Sequence, residues 1–107
     1  MKLDDKYEYL KMYLKYSKEI ETLEQLDVDY SVVCRIQCLK SNRSKICESI
    51  YNVKNSTERN MLLQRFVLGR SNERIAERSA YSVRQVQRLI HQGVKNLETL
   101  SLPYENL

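Results

Sequence analysis

Residues 70–97 read Arg70-Ser-Asn-Glu-Arg-Ile-Ala-Glu-Arg-Ser-Ala-Tyr-Ser-Val-Arg-Gln-Val-Gln-Arg-Leu-Ile-His-Gln-Gly-Val-Lys-Asn-Leu97. Ser71 and Ser82 stand where a side-chain oxygen can cap the free N–H groups of a new helix. Ile75 and Ala76 supply the inward positions of a short first helix. Ala80-Tyr81 makes the turn. Val86, Leu89 or Ile90, Gly93, Val94 and Leu97 form one apolar stripe along the second helix. That helix is expected from Ser82 to about Leu100, with Pro103 as its outer limit. Arg84, Gln87, Arg88, His91 and Lys95 fall mainly on the side opposite the stripe. The pattern predicts a helix-turn-helix.

This division of faces is what a helix entering the DNA major groove needs. One side holds it to a core, and the other meets base edges and phosphates. Arginine reads guanine with two hydrogen bonds, and glutamine reads adenine. Residues near the helix start reach deepest, which favours Val83, Arg84, Gln87 and Arg88. His91, Gln92 and Lys95 lie farther along and suit the phosphate backbone. Arg70, Ser71 and Arg74 lie where the preceding helix would cross the phosphates. Ser82 and Gln85 complete the candidate DNA-binding surface.

Upstream, Ser56 or Thr57 caps the next helix, with Glu58 in its first turn. Met61, Leu62, Phe66 and Leu68 give it an apolar face. Gly69 ends it, because glycine accepts the left-handed conformation that follows many helices. Lys54-Asn-Ser56 is the expected joint between two units, residues 1–55 and residues 56–107.

The first unit reads as a long helical hairpin. A helix over about Asp4 to Leu26 begins with two aspartates at its positive end. Tyr9, Tyr13, Tyr16, Ile20 and Leu23 follow a 4-3-4-3 spacing, with Leu10 and Leu14 widening the stripe. The stripe fits either a helix packed on its own chain or the seam of a homodimer through the N-terminal helices. Asp27-Val-Asp-Tyr-Ser31 is the break, with Asp29 or Ser31 as the next cap. Val32, Ile36, Leu39, Arg43, Ile46, Ile50 and Val53 repeat the spacing, interrupted by Arg43 within the polar run 41–44. One long helix with a polar layer is favoured over two short ones, because no Gly or Pro is present there. Such a hairpin is free to stand away from the C-terminal unit.

Composition agrees with an all-α chain: 107 residues hold two Gly and one Pro. Charge is uneven. Residues 1–30 hold five Lys and eight acidic residues, net −3, whereas residues 31–56 are net +4 and residues 57–107 net +3. A mildly basic surface favours a polyanion through counterion release. Cys34, Cys38 and Cys47 are an odd set of small apolar residues suited to a reducing compartment. Zinc takes four ligands, and only His91 could join them, so no metal and no cofactor are expected. No segment matches a membrane span or a signal core, which places the protein in the cytoplasm. With one His and no Gly-rich loop there is no triad or nucleotide-binding signature, and an enzyme is not expected.

From Thr57 to Leu97, about 40% of the chain, the sequence resembles the C-terminal helix-turn-helix of bacterial sigma factors. It is most similar to the short sigma-like late-gene transcription regulators of phages of Gram-positive bacteria. Leu62 to Gly69, Ser71-Asn-Glu-Arg-Ile-Ala76 and Tyr81-Ser-Val-Arg-Gln-Val-Gln-Arg-Leu-Ile-His91 carry the likeness without a gap. Ser79 stands where that family has a large apolar residue, and Ala80 replaces its turn glycine. The resemblance implies binding of a promoter-type duplex through Ser82–Gln92, and contact with RNA polymerase through residues it does not identify. The promoter-melting domain of sigma factors has no counterpart here. The expected function is that of a sequence-specific DNA-binding transcription regulator, phage or prophage encoded. Two alternatives stay open: a sigma-mimicking protein that occupies RNA polymerase or sigma factor, and a small phage DNA-packaging recognition subunit.

Overall fold

Asp4 and Asp5 lie in the first turn of α1 (Leu3–Glu24) in a computed structural model that describes residues 1–104. The last three residues of the expected 56–107 unit fall outside the described residues. α1 turns its stripe onto α2 (Tyr30–Tyr51) to make the hairpin. Tyr9, Leu10, Tyr16 and Ile20 are buried, and Tyr13, Leu14 and Leu23 half-buried. The apolar stripe of α1 is therefore covered within the chain. Leu10, Leu39, Ile46 and Ile50 are fully buried, and each such side chain contributes about 1.5–3 kcal/mol of burial.

Asp29 caps α2, accepting both the amide and the hydroxyl of Ser31 at 2.8 Å. These two bonds favour the ionised form and hold the Asp29 carboxyl below its ordinary value. α2 runs unbroken through residues 41–44, as expected, but the polar layer is built differently. Asn42, not Arg43, is fully buried. Arg43 is half-buried: its guanidinium lies over the Tyr13 ring, 5.7 Å from the centroid, and donates to Ser17 Oγ. The buried row of α2 is Leu39, Asn42, Ile46, Ser49 and Ile50, a stripe rotated toward two polar residues.

The cap of α3 (Ser56–Leu62) lies one residue before the expected Ser56 or Thr57: Asn55 accepts the Glu58 amide at 3.0 Å. It continues as a π-helical turn over Leu63–Val67. A π turn holds an extra residue, which rotates the positions that follow. Phe66 stays buried, while Leu68, expected inside, is 58% exposed. Gly69 then adopts φ +70°, the sole positive φ among the described residues, and the Arg70 amide returns to the Gln64 carbonyl. Gly69→Ala is expected to destabilise the fold by about 1–2 kcal/mol, read as a lowered denaturation midpoint at unchanged slope.

α4 (Asn72–Glu77) and α5 (Val83–Lys95) follow. α5 stops short of the predicted Leu100. Asn96 closes it and donates to Glu58 Oε1 at 2.9 Å. The chain then leaves the helix because its groups find better partners on the hairpin. Leu97 is 1% exposed. The Tyr9 hydroxyl lies 2.6 Å from Ser49 Oγ and donates to the Leu100 carbonyl at 3.1 Å. The Leu100 amide donates to Ser49 Oγ at 3.2 Å. Farther on, Asn42 Nδ2 donates to the Tyr104 carbonyl at 2.8 Å, and the Tyr104 amide donates to Asn42 Oδ1 at 2.9 Å. The buried polar row of α2 thus serves as the anchor of the C-terminal strap. Asn42→Ala leaves both Tyr104 backbone groups without these partners. The expected cost is about 1–3 kcal/mol, with faster hydrogen exchange at the Tyr104 amide.

The hairpin does not stand away. One hydrophobic cluster joins Tyr9, Leu10 and Ile46 to Leu62, Phe66, Ile75, Val86 and Val94. α1 lies along the π turn and α5, with Tyr7 edge-on to Phe66 at 6.3 Å. Only the far end of the hairpin projects. The radius of gyration is 15.1 Å, against about 13 Å for a compact chain of this length.

Candidate nucleic-acid interface

Ser82 builds the start of α5. Its Oγ accepts the Gln85 amide at 3.2 Å, and Gln85 Oε1 accepts the Ser82 amide at 2.9 Å. This reciprocal pair satisfies two end groups of the helix. Ser71 does the same for α4, accepting the Arg74 amide at 3.2 Å. Between the helices, Ser79 supplies the turn. Its hydroxyl donates to the Ala76 carbonyl and accepts the Tyr81 amide. Ala80 has no positive φ, so this turn does not need the glycine of the sigma pattern.

α5 separates its faces as the sequence predicts. Val86, Ile90 and Val94 are buried, while Arg84, Gln87, Arg88, His91, Gln92 and Lys95 are exposed. Arg84 and Arg88 border a shallow depression with Ser82 and Gln85. Neither arginine forms an ion pair among the described residues. Five guanidinium donors on each are free for an acceptor.

Other expected members sit differently. Val83 is half-buried and turns toward the side of Val86 and Ile90, since seven residues nearly complete two helical turns. It is not a deep reader. Gln85 commits its amide oxygen to the cap, which removes the acceptor that a two-bond adenine contact requires. Arg70 is half-buried and donates to Gln64 Oε1 at 3.0 Å, where it braces the loop after the π turn. Arg74 is exposed and faces Glu77 at 3.5 Å, a surface pair too weak to hold it.

α1 runs antiparallel beside α5 and was not part of the predicted surface. Lys6 Nζ donates to the Lys95 carbonyl at 3.0 Å, a cation at the negative end of the helix. The Tyr7 hydroxyl lies 3.5 Å from His91 Nδ1, so His91 faces α1. Tyr7 and Lys11 share a cleft with Arg65 and Gln87. Residues 84 positions apart meet here, a proximity that no local pattern encodes.

Among the described residues, no helix is long and apolar enough to cross a membrane, and no group of three or more His, Cys, Asp or Glu could hold a metal ion. Cys34, Cys38 and Cys47 are free and half-buried. Burial pushes the Cys47 thiol up, which keeps its reactive thiolate scarce. Comparison with protein-family models, curated proteins and solved structures finds no match to this chain.

Proposed function

We propose that this protein is a sequence-specific duplex-DNA-binding transcription regulator, phage or prophage encoded, that reads its site with α5. The observation that carries the reading is the exposed row Arg84, Arg88 and Lys95, set opposite the buried Val86, Ile90 and Val94. A capped helix with unpaired arginines near its start suits insertion into a major groove. Arg84, Arg88 and Gln87 would meet base edges. Arg74, Gln92 and Lys95 would meet phosphates. Ser71, Ser82 and Gln85 act by fixing the helix starts. The mechanism is binding: phosphate contacts set register and supply salt-dependent affinity, and base contacts supply selectivity. Selection of bound sequences from a random duplex pool tests the reading. A defined motif supports it, and recovery of unselected sequence counts against it. Sedimentation of the same sample reports whether a homodimer forms, and a palindromic motif at one-turn spacing would accompany one.

A second reading, a sigma-mimicking protein that occupies RNA polymerase, draws on a different observation. The hairpin end exposes Leu26 at 54%, Val28 at 92% and Tyr30 at 85%, beside Glu24, Asp27 and Asp29. Apolar groups with an acidic rim suit a protein surface and not a polyanion. Purified RNA polymerase retained by this chain, with no salt-dependent duplex affinity, favours that reading. Loss of retention in Val28→Ser would locate the contact.

A further inference from the structure

We propose that the cleft between α1, the π turn and α5 is a phosphate site that grips the DNA backbone beside the reading helix. The proposal rests on α5 reading duplex DNA.

The cleft is lined by Tyr7 and Lys11 of α1, Arg65 of the π turn, Asn72 of α4 and Gln87 of α5, over a floor that includes Phe66. Two cations, Lys11 and Arg65, and the neutral donors Tyr7 and Asn72 converge from three elements, and Gln87 walls the α5 side. No carboxylate is among the lining residues. Glu8 lies 3.4 Å from Lys11, but both side chains are more than 60% exposed, at 73% and 62%. Water screens such a pair, and an anion in the cleft competes with it readily. Arg65 is placed by the π turn. Its guanidinium lies 5.9 Å from the centre of the Phe66 ring and makes one long bond, 3.4 Å, to the Arg70 carbonyl. Most of its donors stay free. π turns of this kind recur at functional sites.

Asn72 of α4 also lines the cleft. Its Oδ1 is buried and has no hydrogen-bond donor. An orphaned buried acceptor is costly, and native folds keep few of them. The Asn72 amide nitrogen can donate to an anion, whereas its oxygen cannot. Burial also pushes the Tyr7 phenol up, so its hydroxyl keeps the proton it would donate.

The position selects the ligand. Gln87 forms one wall of the cleft and is the immediate neighbour of Arg88 on α5. When α5 occupies a major groove, the group that passes its flank is a phosphodiester of the bounding strand. A free phosphate offers the same chemistry, and the test separates the two sources.

The experiment titrates the full chain with its selected duplex over a range of salt concentrations. It compares wild type with Lys11→Ala, Arg65→Ala, Arg65→Lys and the exposed α2 lysine variant Lys40→Ala. Each cleft alanine is expected to weaken cognate and unrelated duplexes by the same factor. Each should lower the slope of log affinity against log salt by about one. Arg65→Lys keeps the charge and should keep the slope, and Lys40→Ala should leave it unchanged. Thermal melting of each variant identifies any loss of binding that comes from unfolding. Folded Lys11→Ala and Arg65→Ala chains with the wild-type slope overturn the inference alone. A wild-type chain with no duplex affinity overturns both the inference and the reading beneath it. Inorganic phosphate titrated alone, followed at the Asn72 and Gln87 amides, gives the last outcome: saturation below the millimolar range would assign the cleft to a free anion and overturn the backbone as its ligand.

Discussion

Replacing Arg84 and Arg88 together with alanine is expected to remove most of the selectivity of this chain for its duplex. Each arginine that bonds a base edge is worth about 1–3 kcal/mol. If the two act independently, the double variant loses about 2–6 kcal/mol. The loss should fall on the cognate site and much less on unrelated duplex, which distinguishes a lost base contact from a lost phosphate contact. Stability should hardly move. Both side chains are exposed and unpaired among the described residues, and surface changes of this kind stay within about 0.5 kcal/mol. The measurement is a binding titration on cognate and scrambled duplexes, with a thermal melt of each variant. Equal cognate affinity in the double variant would sink α5 as the reading helix.

Leu62→Ala is expected to give the largest loss of stability, about 2–5 kcal/mol. A small domain has only about 5–15 kcal/mol in all. Leu62 is fully buried and packs where α3 and α5 come closest. A Cβ added at Gly93 would meet its Cγ, Cδ1 and Cδ2 at 3.1, 3.2 and 3.3 Å. Gly93→Ala alone therefore combines two opposed effects. Alanine favours the helix by about 1 kcal/mol, and overpacking against Leu62 costs about 1–3 kcal/mol. The net change should be a small loss. In the Leu62→Ala background the clash is gone, so the same Gly93→Ala change should become stabilising. Denaturant unfolding of the two single variants and the double variant gives the coupling, expected at about 0.5–3 kcal/mol. Purely additive effects would mean that the close approach does not constrain the helices. The contact bears on function because it sets how α5 lies on the domain, and hence the direction in which Arg84 and Arg88 point.

The parts of the fold that were legible in the sequence are those set by neighbours along the chain. Ser71 and Ser82 act as caps because the groups they satisfy lie three residues on. Gly69 takes its left-handed conformation because no side chain opposes it. The two long helices and the opposed faces of α5 follow from apolar spacing alone. Leu68 shows the limit of that reasoning. A 3.6-residue period placed it inside, and the π turn, which has no local signature here, rotated it to the surface.

Chemical type misled the sequence reading wherever a polar residue found a partner far along the chain. Asn42 and Ser49 lie beside the expected stripe of α2, which Arg43 was expected to interrupt, yet both are fully buried. Their partners are backbone groups of Leu100 and Tyr104, 51 and 62 positions away. Beyond the end of α5, the Leu100 amide and carbonyl bond to Ser49 and Tyr9 of the hairpin. Gln85 is a local case: as the fourth residue of the Ser82-x-x-Gln85 capping box, it gives its amide oxygen to the Ser82 amide and leaves the readers.

The sequence by itself determined that this chain is helical, that Asp29, Ser71 and Ser82 cap three of its helices, and that one helix divides arginines from an apolar stripe. These depend on contacts within a few residues, which spacing records directly. Only the tertiary structure decided that the hairpin lies against the helix-turn-helix and that a strap closes back over it. It alone brought Lys11 and Arg65 beside Gln87. Those arrangements depend on which buried surfaces and unpaired polar groups match across the whole chain, and no local period carries that information.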